Sequence, residues 1–144
     1  MHISPEIVTQ LFFDGQQFRQ ARIRGCSMCP VLPDGAVVTV IADTGPPVPG
    51  RIYVYYRHTE LIAHRYVMRD RGHLVFWGDR NRNPERASLK SLVGVCAVDE
   101  YPIVRFVIRG INRIFINVRP EIFRAARMRI IRHLPRRIHA EAVC

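Results

Sequence analysis

The sequence predicts a mainly β fold, a compact antiparallel domain with a short helix before it and Arg-rich helices after it. Between residues 21 and 100, short runs of β-branched and aromatic residues alternate with turns that contain Gly, Pro, Asp or Asn. On both sides of this region apolar residues recur at helical spacing instead. The length of 144 residues and the hydrophobic content of 48% support one packed domain of this kind.

The predicted elements follow from these patterns in chain order. The first is a helix at about residues 5–13, whose apolar face would cover a sheet or lie next to a membrane. Loops are predicted at residues 45–50, where the sequence is GPPVPG, and along the polar stretch 78–86. At least five strands are predicted, at residues 37–41, 52–56, 61–68, 74–77 and 92–98.

The charge is concentrated at one end of the chain. The whole sequence has 22 Lys+Arg and 12 Asp+Glu, a formal charge of +10. Residues 1–100 carry 12 basic and 10 acidic side chains, a net of +2, and residues 101–144 carry 10 Arg and two acids, a net of +8. We therefore predict two parts, a β domain over residues 1–100 and a basic helical extension over residues 101–144.

The extension is predicted to form two amphipathic helices, separated by Pro120. The second would run from Glu121 to about His133. Such helices would bind an anionic membrane surface or an acidic leader peptide. Alternatively, they would cover the β domain and leave their arginines in solvent. Nucleic acid is the less favoured partner, because the β domain itself is almost neutral. The arginines concerned are Arg105, Arg109, Arg113, Arg124, Arg127 and Arg132.

No apolar run reaches the ~18–20 residues of a spanning helix, and the N-terminus has no secretory signal pattern. Four cysteines in a chain of this length do not indicate a disulfide framework. We therefore expect a cytoplasmic location, with peripheral membrane association as the alternative. Cys26 and Cys29 have C-x-x-C spacing, but no second such pair completes a metal site, so no metal or cofactor is expected. A redox role for this pair remains open.

Residues 25–32, with the sequence GCSMCPVL, are the most informative segment for function. They are followed in order by PDGAVV at 33–38, GRIYV at 50–54, AHRYV at 63–67, GDRN at 78–81 and GV at 94–95. Over residues 22–100 this series resembles the signal peptidase I superfamily, in which the serine of a G-x-S-M-x-P-x-L box is the nucleophile. Arg51 stands where that family usually has Asp.

The resemblance identifies Ser27 as the nucleophile. A serine hydroxyl needs an adjacent base near neutral pH. The strand region 53–68 has no lysine, and the only lysine, Lys90, lies elsewhere in the motif series. His64 stands where the archaeal and eukaryotic-ER members carry a histidine, and its imidazole can accept the proton.

The same resemblance places an acid after the GDRN loop, which makes Glu85 the candidate to orient the imidazole and Asp79 a candidate support. The backbone N–H of Ser27 would bind the oxyanion together with a second donor that the sequence does not identify. Substrate-binding positions would be Met28, Pro30 and Leu32.

The predicted function is a serine endopeptidase that removes leader or signal-like peptides after small residues. Family members usually carry an N-terminal membrane anchor, which this sequence lacks, so the substrate would be met in the cytoplasm or through the basic extension. One alternative is a non-enzymatic basic module that binds membrane or nucleic acid through residues 101–144. Another is a self-cleaving repressor-type protein, although residues 1–20 are too short for a helix-turn-helix domain.

Overall fold

The predicted mainly β fold is confirmed by the computed structural model, which describes residues 4–43, 45–98, 102–115 and 129–130. Seven strands form one sheet in the order β1-β2-β7-β3-β4-β5-β6, and every neighbouring pair is antiparallel. The elements are α1 Pro5–Phe13, β1 Phe18–Arg22, β2 Val37–Ile41, β3 Ile52–Arg57, β4 Glu60–Asp70, β5 His73–Trp77, β6 Glu85–Ala87, a 3-10 turn at Leu89–Ser91, β7 Leu92–Ala97 and α2 Pro102–Phe115.

The two strands that the sequence patterns missed lie at the edges of the sheet. β1 is exposed along most of its length, and β6 has only three residues. Edge strands bury little surface, so they need no alternation of apolar and polar residues. The predicted loop at 78–86 is wrong at its end, because Glu85 and Arg86 belong to β6. Glu85 is therefore held by strand pairing with Phe76 rather than carried on a loop.

Buried side chains form two clusters, as expected where successive residues of a strand point to opposite faces. The aromatic cluster consists of Tyr53, Tyr55, Tyr66, Leu74, Phe76, Ala87 and Val95. The aliphatic cluster consists of Phe13, Met28, Leu32, Val38, Val40, Ile52, Val54, Val93 and Cys96. The second cluster fixes the segment after Ser27 to the sheet, since Met28 and Leu32 are both members.

Helix α1 has an N-terminal cap, and the residue after its last turn adopts the left-handed backbone conformation. The side chain of Ser4 accepts a hydrogen bond from the N–H of Ile7, Pro5 occupies the first turn, and Asp14 has φ 48°. Phe13 is buried against the sheet, whereas Leu11 is 68% exposed. The apolar face of α1 is thus covered at its C-terminal end.

Helix α2 contacts β4, with Ile108 and Asn112 buried. Arg109 and Arg113 are exposed on this helix, and their spacing of four residues puts them on one side of it. The second predicted helix, and with it Arg124, Arg127 and Arg132, lies outside the described residues except for the helical residues 129–130. In the part of the chain that the structure describes, the helices are too short or too polar to span a bilayer.

Gly94 provides a test of this fold. A Cβ at this position in β7 would lie 2.5 Å from the carbonyl oxygen of Ile41 and 3.1 Å from the ring of Phe13. We expect Gly94→Ala to lower the free energy of unfolding by about 1–3 kcal/mol, because neighbouring backbone must move. Urea denaturation followed by circular dichroism measures this change.

The matched control is Gly110→Ala on α2, where an added Cβ meets nothing within 4 Å. Alanine is the better helix former by about 1 kcal/mol, so this variant should be as stable as the parent or more stable. Equal denaturation midpoints for Gly94→Ala and the parent would contradict the close approach of β7 to β2.

Candidate functional site

Ser27 lies in a loop whose two ends are joined by backbone hydrogen bonds and whose residues after the serine pack against the sheet. The N–H of Ile23 donates to Ala36 O and the N–H of Gly35 donates to Ile23 O, which joins the two ends of the loop. Gly25 adopts φ +84°, a conformation that favours glycine, and its N–H donates to Asp34 Oδ1 over 2.7 Å. Ser27 itself is half-buried. The loop thus presents the hydroxyl at the surface of a fixed turn.

The predicted substrate-binding residues surround this turn. Met28 and Leu32 are 1% and 3% exposed and belong to the aliphatic cluster, so they support the loop from below. Pro30 is half-buried. The part of these residues in binding a substrate stays a prediction.

His64 meets Ser27 although the two are 37 residues apart in the chain. The imidazole comes from β4, is 4% exposed, and places Nε2 3.0 Å from Ser27 Oγ. This distance is that of a hydrogen bond between a nucleophile and its base. The structure therefore brings together the two residues that the sequence paired.

The other imidazole nitrogen contacts a residue that the sequence did not single out. His64 Nδ1 lies 3.1 Å from the hydroxyl of Tyr55, and this hydroxyl donates to Glu85 Oε2 over 2.6 Å. A phenol has one proton. Because the O–H of Tyr55 is donated to Glu85 in a hydrogen bond, the Tyr55 oxygen accepts a hydrogen bond from Nδ1–H of His64. Nε2 is then the unprotonated nitrogen, which is the tautomer able to accept the Ser27 proton.

The pairing of the strands explains how these residues meet. Tyr53 is directly opposite His64, so Tyr55, two residues further along β3, lies on the same face. On the next strands Phe76 is opposite both Tyr66 and Glu85, which puts Glu85 on that face too. The alternation of tyrosines in a strand paired with the His64 strand was the signal that could have identified Tyr55.

Glu85 acts on the imidazole mainly through Tyr55. Its Oε2 is 3.7 Å from His64 Nδ1, beyond ordinary hydrogen-bond length, and 3.1 Å from an N–H group of Arg57. The predicted acid is thus in the site, but the hydroxyl of Tyr55 stands between it and the base. Arg57 balances its charge.

Burial keeps His64 neutral. Desolvation lowers the pKa of His64 below its usual 6.5, the negative charges of Glu85 and Asp79 raise it in part, and the positive charge of Arg57 lowers it further. A neutral imidazole at neutral pH is what a general base requires. Burial and the bond to Glu85 raise the pKa of Tyr55, so its hydroxyl stays protonated.

Asp79 pairs with Arg65. Two hydrogen bonds, 3.0 and 2.7 Å long, join the carboxylate to the guanidinium, and both side chains are completely buried. Arg65 also donates to Gly50 O over 2.7 Å. Asp79 therefore supports the site as an anchor of residues 78–81 and as a charge that acts on the pKa of His64.

Residues 78–81 also contact Ser27 and His64. The N–H of Arg80 donates to Ser27 O over 2.8 Å, and the N–H of Asn81 donates to Gly78 O over 3.0 Å. The side-chain Nδ2 of Asn81 lies 3.4 Å from His64 Nε2. This loop thus adds one amide side chain to the Ser27–His64 pair.

Lys90 lies apart from this arrangement, whereas Cys26 directly precedes Ser27 in the chain. Lys90, in the 3-10 turn, lines a shallow cleft of about 580 Å³ together with Glu6 and Phe13 of α1. Cys26 is an exposed free thiol, and no disulfide joins it to the buried Cys29. Among the described residues, no three His, Cys, Asp or Glu side chains are grouped so that they could hold a metal ion.

The hydrogen bonds of Tyr55 predict one tautomer of His64. In ¹⁵N NMR spectra at neutral pH, His64 should carry its proton on Nδ1. Tyr55→Phe should remove this preference, because the partner of Nδ1–H is lost while the ring remains in place. Tyr56→Phe, in the next position of the same strand, is the control and should leave the spectrum of His64 unchanged. A proton on Nε2 in the parent protein would contradict the arrangement.

Comparison with models of known protein families, with curated proteins and with solved structures finds no match to this chain. The site itself consists of a serine hydroxyl 3.0 Å from an imidazole whose other nitrogen contacts Tyr55, which in turn donates to Glu85.

Proposed function

We propose that this protein is a serine endopeptidase that cleaves precursor peptides through an acyl-enzyme formed on Ser27. One observation carries the proposal, the contact of 3.0 Å between Ser27 Oγ and His64 Nε2 in the tautomer that can accept a proton. The resemblance of residues 22–100 to the signal peptidase I superfamily supports the same reaction and suggests leader or signal-like peptides, cut after small residues, as substrates.

Acylation begins with the transfer of the Ser27 proton to His64 Nε2 as Oγ attacks the scissile carbonyl carbon. The electron pair of the carbonyl moves to its oxygen, which becomes an oxyanion. His64 is now an imidazolium. Its Nδ1–H remains bonded to Tyr55, and the negative charge of Glu85 stabilises the new positive charge.

The tetrahedral intermediate then collapses. The carbonyl forms again, the bond to the leaving nitrogen breaks, and His64 Nε2 gives its proton to that nitrogen. Deacylation repeats these steps with water as the nucleophile and His64 again as the base. The peptide product leaves with a new carboxylate, and Ser27 recovers its proton.

The cost of burying the polar groups favours an enzyme over a basic binding module. His64 and Tyr55 are only 4% and 0% exposed. A buried polar atom is costly unless it is hydrogen-bonded, and two apolar side chains of the same shape would not have this cost. A module that bound membrane or nucleic acid through residues 101–144 would give these groups no role. A self-cleaving repressor-type protein stays an alternative.

Labelling with a fluorophosphonate probe tests the proposal without knowledge of the natural substrate. The parent protein should be labelled at Ser27, and Ser27→Ala and His64→Ala should lose labelling and the cleavage of a precursor-peptide library. His73→Ala, which changes an exposed histidine, and Lys90→Ala are the controls and should react like the parent. Labelling or cleavage that survives in both Ser27→Ala and His64→Ala would refute the proposal.

The pKa of His64 predicts the acid side of the pH profile. Activity requires the neutral imidazole, so kcat/KM should fall with decreasing pH with a midpoint below 6.5. Glu85→Gln removes a charge that raises this pKa, so the midpoint should move to lower pH. Arg57→Gln removes a charge that lowers it, so the midpoint should move to higher pH.

The control for these shifts is Arg86→Gln, which breaks the exposed pair of Arg86 with Asp70 and should leave the midpoint unchanged. Fluorophosphonate labelling rates measured from pH 4 to pH 9 give all four profiles. Shifts of Glu85→Gln and Arg57→Gln in the same direction would show that another group controls the profile.

A further inference from the structure

We propose that Asn81 is a catalytic residue, whose side-chain amide donates the second hydrogen bond to the oxyanion. This inference rests on the proposed function. It supplies the donor that the sequence did not identify, beside the backbone N–H of Ser27. Four observations on Asn81 and the residues around it lead to it.

The first observation is the position of the amide. Asn81 Nδ2 lies 3.4 Å from His64 Nε2, and Nε2 lies 3.0 Å from Ser27 Oγ. The amide is therefore next to the imidazole nitrogen that faces the Ser27 hydroxyl. Its orientation follows from the tautomer, because an unprotonated Nε2 has nothing to donate to Oδ1 and so faces the NH₂ group.

The second observation is that the backbone around Asn81 is fixed before any substrate binds. The N–H of Asn81 donates to Gly78 O and the indole N–H of Trp77 donates to Asn81 O, both over 3.0 Å. The N–H of Arg80 donates to Ser27 O over 2.8 Å. A donor held in this way stabilises a transition state without a reorganisation cost at the moment of reaction.

The third observation is the space that Gly78 leaves for the amide. A Cβ on residue 78 would lie 2.8 Å from Asn81 Cγ and 2.9 Å from both Asn81 Nδ2 and His64 Nε2. Any other residue at this position would push the amide away from the imidazole. Glycine at position 78 therefore allows the close approach of Asn81 to the reacting atoms.

The fourth observation is that Nε2 of His64 can accept only one hydrogen bond. A neutral imidazole nitrogen has one lone pair, and the hydroxyl of Ser27 already faces it at the shorter distance. When the Ser27 proton moves to Nε2, that lone pair is used. The N–H of Asn81 then needs a new acceptor at the same moment as the oxyanion forms. The interaction is thus stronger in the transition state than in the ground state, which is the condition for catalysis.

The test uses p-nitrophenyl acetate as substrate and a fluorophosphonate as inhibitor, since neither requires the natural peptide. Asn81→Ala should lower kcat about 10²–10³-fold with KM nearly unchanged, as expected for the loss of one oxyanion donor. The labelling rate should fall in parallel, because the phosphoryl oxygen binds where the oxyanion does. Asn83→Ala, an exposed asparagine two residues further on, is the matched control and should keep the parent kcat.

Asn81→Asp separates a donor from a residue that only positions His64. It has the same shape but cannot donate when ionised, so kcat at the pH plateau should fall as in Asn81→Ala. Urea denaturation shows whether each variant is folded. If Asn81→Ala does not fold, the test relies on Asn81→Asp. If either folded variant keeps its plateau kcat within threefold of the parent, and only the midpoint of its pH profile moves, Asn81 is not an oxyanion donor.

The labelling results also separate the role of Asn81 from the proposed function. A parent protein that is labelled at Ser27, together with an unaffected Asn81→Ala, overturns the role of Asn81 and leaves the proposed function standing. A parent protein that neither hydrolyses the ester nor is labelled at Ser27 overturns the proposed function and the role of Asn81 with it.

Discussion

The buried ion pair between Arg65 and Asp79 is the interaction on which the rest of the site depends. Two charges that are completely buried cost several kcal/mol to desolvate, and breaking such a pair costs about 3–5 kcal/mol, so the carboxylate is held firmly. The pair fixes residues 78–81 to β4. Through that loop it places the N–H of Arg80 on Ser27 O and the amide of Asn81 beside His64. Since Arg65 follows His64 on the same strand, β4 carries both the imidazole and the anchor that brings the serine loop to it.

On the other face of β4, the hydroxyl of Tyr55 connects His64 with Glu85. In a direct histidine–carboxylate pair the acid itself would accept the Nδ1 proton. Here the phenol oxygen accepts the hydrogen bond from Nδ1–H and donates its own O–H to Glu85, so the carboxylate still fixes the tautomer. The longer path weakens the attraction between Glu85 and an imidazolium, and Arg57 weakens it further. Burial is the main reason that the pKa of His64 is low, and the positive charge of Arg57 lowers it further, which suits a base that must be neutral before it reacts.

The parts of this arrangement that the sequence could predict are those that depend on local patterns. The helix at residues 5–13 and five strands follow from spacing and turns, and Ser27 and His64 follow from a motif series. Tyr55 was missed because its role depends on strand register, which aligns it diagonally with His64 across a hairpin. β1 and β6 were missed because edge strands bury too little to show a pattern. The sequence makes Asp79 a candidate support of the site, but a spacing cannot show that Arg65, 14 residues earlier, pairs with its carboxylate.

Most of the excess positive charge lies in residues 101–144, whereas acidic side chains at and near the site are paired with arginines. Asp79 is balanced by Arg65, Glu85 by Arg57 and Asp70 by Arg86. Residues 1–100 have a net charge of only +2, and beside burial the charges that act on the pKa of His64 are those of Glu85, Asp79 and Arg57. The exposed Arg109 and Arg113 of α2 belong to the segment that carries the remaining +8. The excess positive charge and the charged residues that act on His64 thus belong to different parts of the sequence.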